Sequence, residues 1–345
     1  VAILFDGPVT PDALTTFVRN VPLPDTFGLT AMFPTITKQD NQLNFAEIVR
    51  TNRTARFRAF DGRLHVSQRD SGSQRFVKLL PLSTSFSMGE YERLQLEYAR
   101  TGGTNMQALA NSVYNDGQNG TREIQARLEQ AWGDVLSDGK LTINEEGFQG
   151  EADYGIPVSQ VVTAAISWVS SPTTSDPLAD MLAWSDTYFL NNGLRLVHLV
   201  TSLTVQRALQ VNTKLINAIK GAQTGVTRVS LAEINALFAS EGCPTFVDYY
   251  GTQVDVDGTP TLVFPANKIA MLPANPGDVG ATVMGLSATA LELMNSSESD
   301  MSFEDAAGIV GVIEKTGPPY RQFTFIDAVG MPVLTTARLF MVATV

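Results

Sequence analysis

"TNRTARFRAFDGRLHVSQRDSGSQRFVK", residues 51–78, is at odds with the chain that contains it. The chain has 345 residues and a formal charge of −11, yet this stretch together with Arg50 holds eight of its 24 lysines and arginines. Only Asp61 and Asp70 dilute them. Within it, "FRAFDGRLHV" reads as a β-hairpin, because Asp-Gly favours a two-residue type I′ turn in which both central residues take positive φ. With Asp61-Gly62 as the loop, Phe57, Ala59, Leu64 and Val66 line one face. Arg56, Arg58, Arg63 and His65 line the other, with Phe60 among them, in keeping with the period-two pleat. An isolated two-stranded ribbon is marginal in water, so both faces call for a partner.

Three partners compete. Clustered arginine is the signature of phosphate binding, which would make the chain a nucleic-acid-binding protein using the basic hairpin. Against that, an acidic chain repels a polyanion at long range, and no nucleic-acid motif is present. A solvated surface hairpin is the plain alternative. The third partner is an acidic protein surface, and the sequence supplies one. Glu129, Asp134, Asp138, Glu145, Glu146, Glu151 and Asp153 face a single Lys140 between residues 129 and 154, net −6 against the +6 of residues 50–78. The expected interface residues on the basic side are Arg53, Arg56, Phe57, Arg58, Phe60, Arg63, Leu64, Arg69 and Arg75. The arginine fork can pair carboxylates bidentately. Exposed pairs contribute under ~1 kcal/mol each, so such charge sets register and partner choice more than affinity.

Composition narrows the class. With 44% hydrophobic residues the chain can bury a sizeable core, in two domains by length. A lone cysteine, Cys243, excludes an internal disulfide framework and fits a reducing compartment. The opening "VAILFDGPVT" has a short apolar run and no basic flank, so it reads as neither signal peptide nor membrane span. The expectation is a soluble chain of cytoplasmic origin.

Along the chain, residues 1–45 carry scattered prolines and read as an extended arm with a short helix near "PDALTTFVRN". "SMGE" predicts a helix start, with Ser87 and Glu90 as a capping box and Tyr91, Leu94 and Tyr98 on one face. A helical piece over about 106–114 is expected to break at "NDGQNG". Thr121 then caps a stronger helix ending at Gly139, with Ile124, Leu128, Ala131 and Val135 at helical spacing. "KLTINEEGFQGEADYG" is a strand pair turning at "EEG", and "SWVSSPTTSDP" (167–177) is the hinge candidate. An α/β pattern follows: a helix over about 178–190, the strand "LRLVHLVTS", one long helix over 203–219, and a helix at "SLAEINALFAS". Next come the strands "TFVDYYGTQVDVDG" and "TLVFPANKIAMLP" around an Asp257-Gly258 turn, and a helix at "FEDAAGIVGVIE". "RQFTFIDAVG" and "TARLFMVATV" close the chain as strands.

Nothing in the pattern requires catalysis, a cofactor or a metal. His65 lies in the hairpin, and His198 in "LRLVHLV" reads as a core or interface residue. Cys243 in "SEGCPTF" has no neighbouring base to make it a nucleophile. "DVDG" at 255–258 lacks the other ligands of a calcium loop.

The order of parts resembles the major capsid proteins of tailed bacteriophages, in particular the lambda-like "protein E" family. The closest echoes are "FVDYYGTQVDVDG", "TLVFPANKIAMLP" and the tail "RQFTFIDAVGMPVLTTARLFMVATV". The resemblance implies an α+β, HK97-like capsid fold with an N-terminal arm (1–45) and an extended β-hairpin loop (46–85). A peripheral domain with a long spine helix (86–170), an α/β axial domain (171–310) and C-terminal strands returning to the peripheral domain (311–345) would follow. It implies a major capsid protein that self-assembles into hexamers and pentamers of an icosahedral head around double-stranded DNA, bound without sequence specificity. Other copies of the chain, scaffold and portal proteins and a decoration protein are the implied partners, with no membrane. Assembly in the host bacterial cytoplasm and a final place in the virion follow from it. An encapsulin-like nanocompartment shell is the same-fold alternative. On the capsid reading, a loop of about 40 residues folded on itself reaches roughly 50–60 Å at ~3.3 Å per residue, enough to lie across a neighbour.

Overall fold

The computed structural model describes residues 9–48, 72–91, 106–145, 148–222, 225–247, 252–256, 258–296, 299–317 and 321–345. Two sheets and one long helix organise them. The first sheet runs β1 (Thr35–Thr37), β13 (Gly280–Gly285), β15 (Arg321–Leu334), β14 (Val310–Thr316), with β4 (Pro81–Met88) also paired to β15. The second runs β7 (Val161–Thr163), β16 (Met341–Thr344), β12 (Lys268–Pro273), β8 (Leu196–Thr201), β9 (Thr245–Phe246). Three further strand pairs join neither sheet: β2 (Gln42–Ile48) with β3 (Gly72–Lys78), β5 (Lys140–Glu145) with β6 (Phe148–Asp153), and β10 (Gln253–Val256) with β11 (Thr259–Leu262).

The second sheet divides two cores by simple alternation. Leu199, Ile269, Met271, Met341 and Ala343 point into a core shared with the helices α4 (Pro177–Asn192), α5 (Leu203–Gln210), α6 (Thr213–Lys220) and α7 (Leu231–Ser240). Val200, Ala270, Leu272 and Val342 point the other way, toward Trp132, Val135 and Leu136 of α3 (Met106–Asp138) and the strand residues Val283 and Val333. Strands buried on both faces read as near-continuous apolar runs, which is why "KIAMLP" and "MVAT" show no alternation in sequence.

Helix α3 is continuous for 33 residues, so "NDGQNG" is not a break. Its glycines answer to packing. A Cβ at Gly117 would stand 3.1 Å from Leu14 Cδ1 on α1 (Pro11–Arg19), and one at Gly120 would lie 2.7 Å from Ile326 Cγ1 and 2.9 Å from Thr84 Cγ2. Each glycine costs the helix about 1 kcal/mol of propensity, which the close approach of α1, β4 and β15 offsets. Thr121 is not a cap: it is fully buried in mid-helix, and its hydroxyl donates to Gly117 O at 2.8 Å.

Four other expectations change. Residues 9–37 are packed, not an extended arm: the short helix expected at "PDALTTFVRN" is α1, capped by Thr10 and burying Leu14 and Val18, and α2 (Gly28–Met32) packs on α3. Ser87 sits in β4 opposite Phe323, so it caps no helix; helical backbone begins at Glu90, and Leu94 and Tyr98 lie outside the described residues. The 203–219 helix is two. Asn212 caps α6 through Leu215 N, while its buried amide donates to Pro172 O (2.7 Å) and Ser175 Oγ (3.0 Å). Residues 303–314 hold no helix: "VGVIEKT" is β14, where β-branched side chains suit a pleat and Gly311 lets Leu14 approach. A capping box at Ser230 and Glu233 opens α7. A helix not anticipated, α8 (Ala288–Met294), is capped by Ser287.

Candidate intersubunit interface

A two-stranded ribbon flanks the basic stretch. β2 and β3 pair antiparallel from Gln42 opposite Lys78 to Ile48 opposite Gly72, with Phe45 opposite Arg75. The expected hairpin at Asp61-Gly62, with Arg53, Arg56, Phe57, Arg58, Phe60, Arg63, Leu64 and Arg69, lies outside the described residues, as does Glu146. The ribbon's root is fixed. Asn41 Nδ2 donates to Leu286 O at 2.8 Å, its Oδ1 accepts from Leu286 N at 2.9 Å, and its backbone carbonyl accepts from Leu79 N at 2.9 Å. One residue thus ties both legs of the ribbon to the end of β13. Only its place before a strand, in "KQDNQLN", hinted at this role.

The acidic side is the β5–β6 hairpin and the end of α3. Its register, Lys140 opposite Asp153 through Glu145 opposite Phe148, leaves a two-residue connection at 146–147, where "EEG" predicted a turn. Glu145, Glu151 and Asp153 are exposed on it, and Asp138 is exposed beside it. They are partly matched within the chain. Lys140 Nζ meets Glu151 at 2.7 Å and Asp153 at 3.3 Å, and Arg127 meets Glu145 at 2.8 Å. The Glu151 and Asp153 carboxylates hold the Lys140 ammonium above the usual lysine range. Arg127 was missed because it stands two residues before the acidic window begins.

Two of the predicted acids do not belong to this surface. Glu129 is fully buried, and its carboxylate accepts from Leu29 N (3.0 Å), Thr30 N (2.7 Å) and Thr30 Oγ1 (2.7 Å) at the start of α2. Desolvation pushes its pKa up, against the pull of those three bonds. In sequence it sits among acids; in space it is the staple between the spine and the N-terminal segment. Asp134 is half-buried and accepts from Thr142 N at 2.7 Å, holding the hairpin's first strand to α3, with burial raising its pKa.

The ribbon root and the acidic hairpin are neighbours. A groove of about 420 Å³ runs between them, with Val77, Leu80, Ile143 and Ala152 among its walls and Lys78 and Glu151 contributing charge. Tyr154 ends the hairpin by donating from its hydroxyl to Pro332 O at 2.6 Å, and burial raises its pKa. This constellation offers docking and ion pairing. Cys243 is buried, and desolvation raises its thiol pKa, leaving it protonated. Among the described residues no cluster of three or more His, Cys, Asp or Glu is placed to hold a metal, and no helix is long and apolar enough to cross a membrane.

The sequence profile of the phage major capsid protein E family matches residues 10–288. No curated protein matches the chain. Two solved structures align over almost its whole length. One, described as a prophage capsid protein from Escherichia coli CFT073, is 14% identical with a TM-score of 0.60, covering 98% of this chain and 99% of that one. The other, a phage-related protein from Bordetella bronchiseptica RB50, is 14% identical with a TM-score of 0.58, covering 100% and 98%. At that identity the likeness bears on the fold, which is the HK97-type capsid fold. The profile spans well over half of the residues, including the ribbon, the spine helix and the acidic hairpin, and the chain therefore belongs to the phage major capsid protein E family.

Proposed function

We propose that this capsid protein self-assembles into the hexamers and pentamers of an icosahedral phage head that encloses double-stranded DNA. Residues 46–85 serve as the extended loop, 86–170 as the peripheral domain and 171–310 as the axial domain, with 311–345 returning to the peripheral domain. The loop of one copy lies over the neighbour's β5–β6 hairpin, its arginines meeting Asp138, Glu145, Glu151 and Asp153. One observation carries the reading: among the described residues β2–β3 joins neither sheet and is clamped at its root by Asn41. A ribbon of two strands gains too little burial to stand alone, and a neighbouring copy supplies the missing surface. Lys140 and Arg127 are exposed or half-buried pairs, weak enough for incoming arginines to exchange with them. The net negative charge of the rest of the chain repels packaged DNA from the shell wall without sequence readout. Scaffold, portal and decoration proteins complete the particle, which forms in the host cytoplasm and ends as the virion.

Replacing Arg56, Arg58 and Arg63 with glutamate tests the docking. Negative-stain imaging and size-exclusion chromatography are expected to find folded subunits and no shells. Normal shells from that variant would refute it. A closed particle that holds an enzyme instead of DNA would favour the nanocompartment reading.

A further inference from the structure

The region between α4 and β12 separates its charge along the sequence. From Thr187 to Ala232 there are five lysines and arginines and no acid, and from Glu233 to Asn267 there are five acids and no lysine or arginine. The fold sets the β10–β11 part of the acidic stretch, with Asp255, on the other face of the second sheet, while Glu233 and Glu241, on and just after α7, stay with the basic helices. α5 and α6 pack in the core with Leu199, Ile269 and Met271 on one face of the second sheet. Val254 of β10 and Val263 after β11 belong to the core on its other face, with Val200, Ala270 and Leu272.

On the basic side, Lys214 is paired with Asp176 and Lys220 with Glu233. Arg207 and Arg228 are exposed and make no ion pair among the described residues. Leu203 and Arg207 of α5 and Val211, which caps its C-terminus, recur every four residues along one stripe. Arg228 hydrogen-bonds Gln210, and Val229 N donates to Gln210 O at 3.0 Å, so Val226 and Arg228 flank that stripe. Leu203, Val211 and Val226 are 37%, 39% and 40% exposed. On the acidic side, the register sets Gln253 opposite Leu262 and Asp255 opposite Pro260. Those four side chains share one face of the ribbon, and it is the outer one: Val254 is buried, whereas Asp255 is exposed and Leu262 is 55% exposed.

We infer that the α5 stripe of one copy docks on the outward face of the β10–β11 ribbon of the next. Leu203, Val211 and Val226 cover Leu262 and Pro260, while Arg207 and Arg228 meet Asp255. The two surfaces differ and lie on opposite sides of one sheet, so the contact is heterologous, and repeated copies close into a ring. This rests on the shell reading and assigns the surfaces that join neighbours within one hexamer or pentamer.

The test uses the full-length chain. Arg207→Glu with Arg228→Glu is expected to lower the yield of rings and shells by about tenfold or more, and adding Asp255→Arg to restore most of it, since like charges facing each other oppose the contact. Separately purified Val211→Cys and Leu262→Cys subunits, co-assembled and treated with a short bis-maleimide, are expected to give a covalent dimer that neither gives alone; Cys243 is buried and serves as the wild-type blank. Normal shells from the double reversal without mixed dimer overturn the inference and leave the shell reading intact. A wild-type chain that stays monomeric under every assembly condition overturns both. If circular dichroism shows the reversal variant unfolded, the cysteine pair decides: mixed dimer supports the contact, and its absence refutes it.

Discussion

The two sheets and the three ribbons obey opposite rules. Each sheet is covered at its centre: β13 is buried along its whole length, and β12 and β16 feed alternate side chains into different cores. The ribbons β2–β3, β5–β6 and β10–β11 pair only with themselves, and among their described residues the outward positions stay open to solvent. The sheets supply the burial that holds one copy together, and the ribbons carry the surface that the proposed docking would use. Charge follows the same division. Thr282 and Trp132 satisfy each other inside at 2.8 Å, whereas the carboxylates of β5–β6 are held by lysine and arginine at the surface. Substitutions in the sheets and spine should therefore act on folding, and substitutions in the ribbons on assembly.

Gly133→Val attacks the first half of that contrast hardest. A Cβ at this position of α3 would meet the Val263 backbone carbonyl, which cannot rotate away. Overpacking of this kind costs about 3 kcal/mol or more, a large share of a total near 5–15 kcal/mol. Loss of soluble protein, or a fall of about 10 °C or more in the thermal midpoint, is the expected outcome. Unchanged melting would show that α3 and the β11–β12 connection do not press together.

The same glycines explain where sequence reading stopped. Local chemistry was readable: the helix at "SLAEINALFAS", the strand pairings on either side of Asp257-Gly258 and of Glu146-Gly147, and the apolar strands "LVHLVT" and "KIAMLP" all lie where pattern placed them. What failed was long-range. "NDGQNG" carries every local mark of a break, and only the approach of Leu14, Thr84 and Ile326 accounts for glycine inside an unbroken helix. "GIVGVIE" spaces its apolar residues as a helix would, and pairing with β15 overrides it. In the candidate interface the acidic run falls on the β5–β6 hairpin and the end of α3. Charge counting could not tell Glu129, aimed inward at α2, from Glu151, aimed at water, because facing depends on which helix arrives from elsewhere in the chain.

Glu129 is the next test, since it is an acid of the acidic run that belongs to the covered half. Glu129→Leu leaves the Leu29 and Thr30 amides without their acceptor, at a cost of about 3 kcal/mol by the usual penalty for buried unpaired donors. Glu129→Gln keeps an acceptor and isolates the titration. Burial raises the folded-state pKa, so the folded chain retains this proton at a pH where the unfolded chain has lost it. The stability of wild type relative to the Glu129→Gln variant is therefore greatest below the ordinary glutamate pKa. It falls as pH rises through the window up to the raised value and is flat beyond. Denaturant melts of both proteins across that range check the sign. A difference that grows with pH would mean that the three hydrogen bonds outweigh desolvation.

Lys140→Ala carries the smallest folding effect and the sharpest distinction. Its ammonium is exposed, and its bonds to Glu151 and Asp153 are solvent-screened, so the thermal midpoint should move by no more than about 2 °C. Assembly should respond in the opposite sense to an ordinary lost contact. Without Lys140, two carboxylates on the hairpin lose their intrachain cation, and the arginines of a neighbouring loop meet a more negative surface. Shells should then persist to higher salt than wild type, because each added charge pair across the contact is screened but not abolished over a Debye length of about 8–10 Å. Light scattering against ionic strength reads this directly. Shells that dissociate at lower salt would place Lys140 itself, and not the carboxylates it holds, in contact with the neighbour.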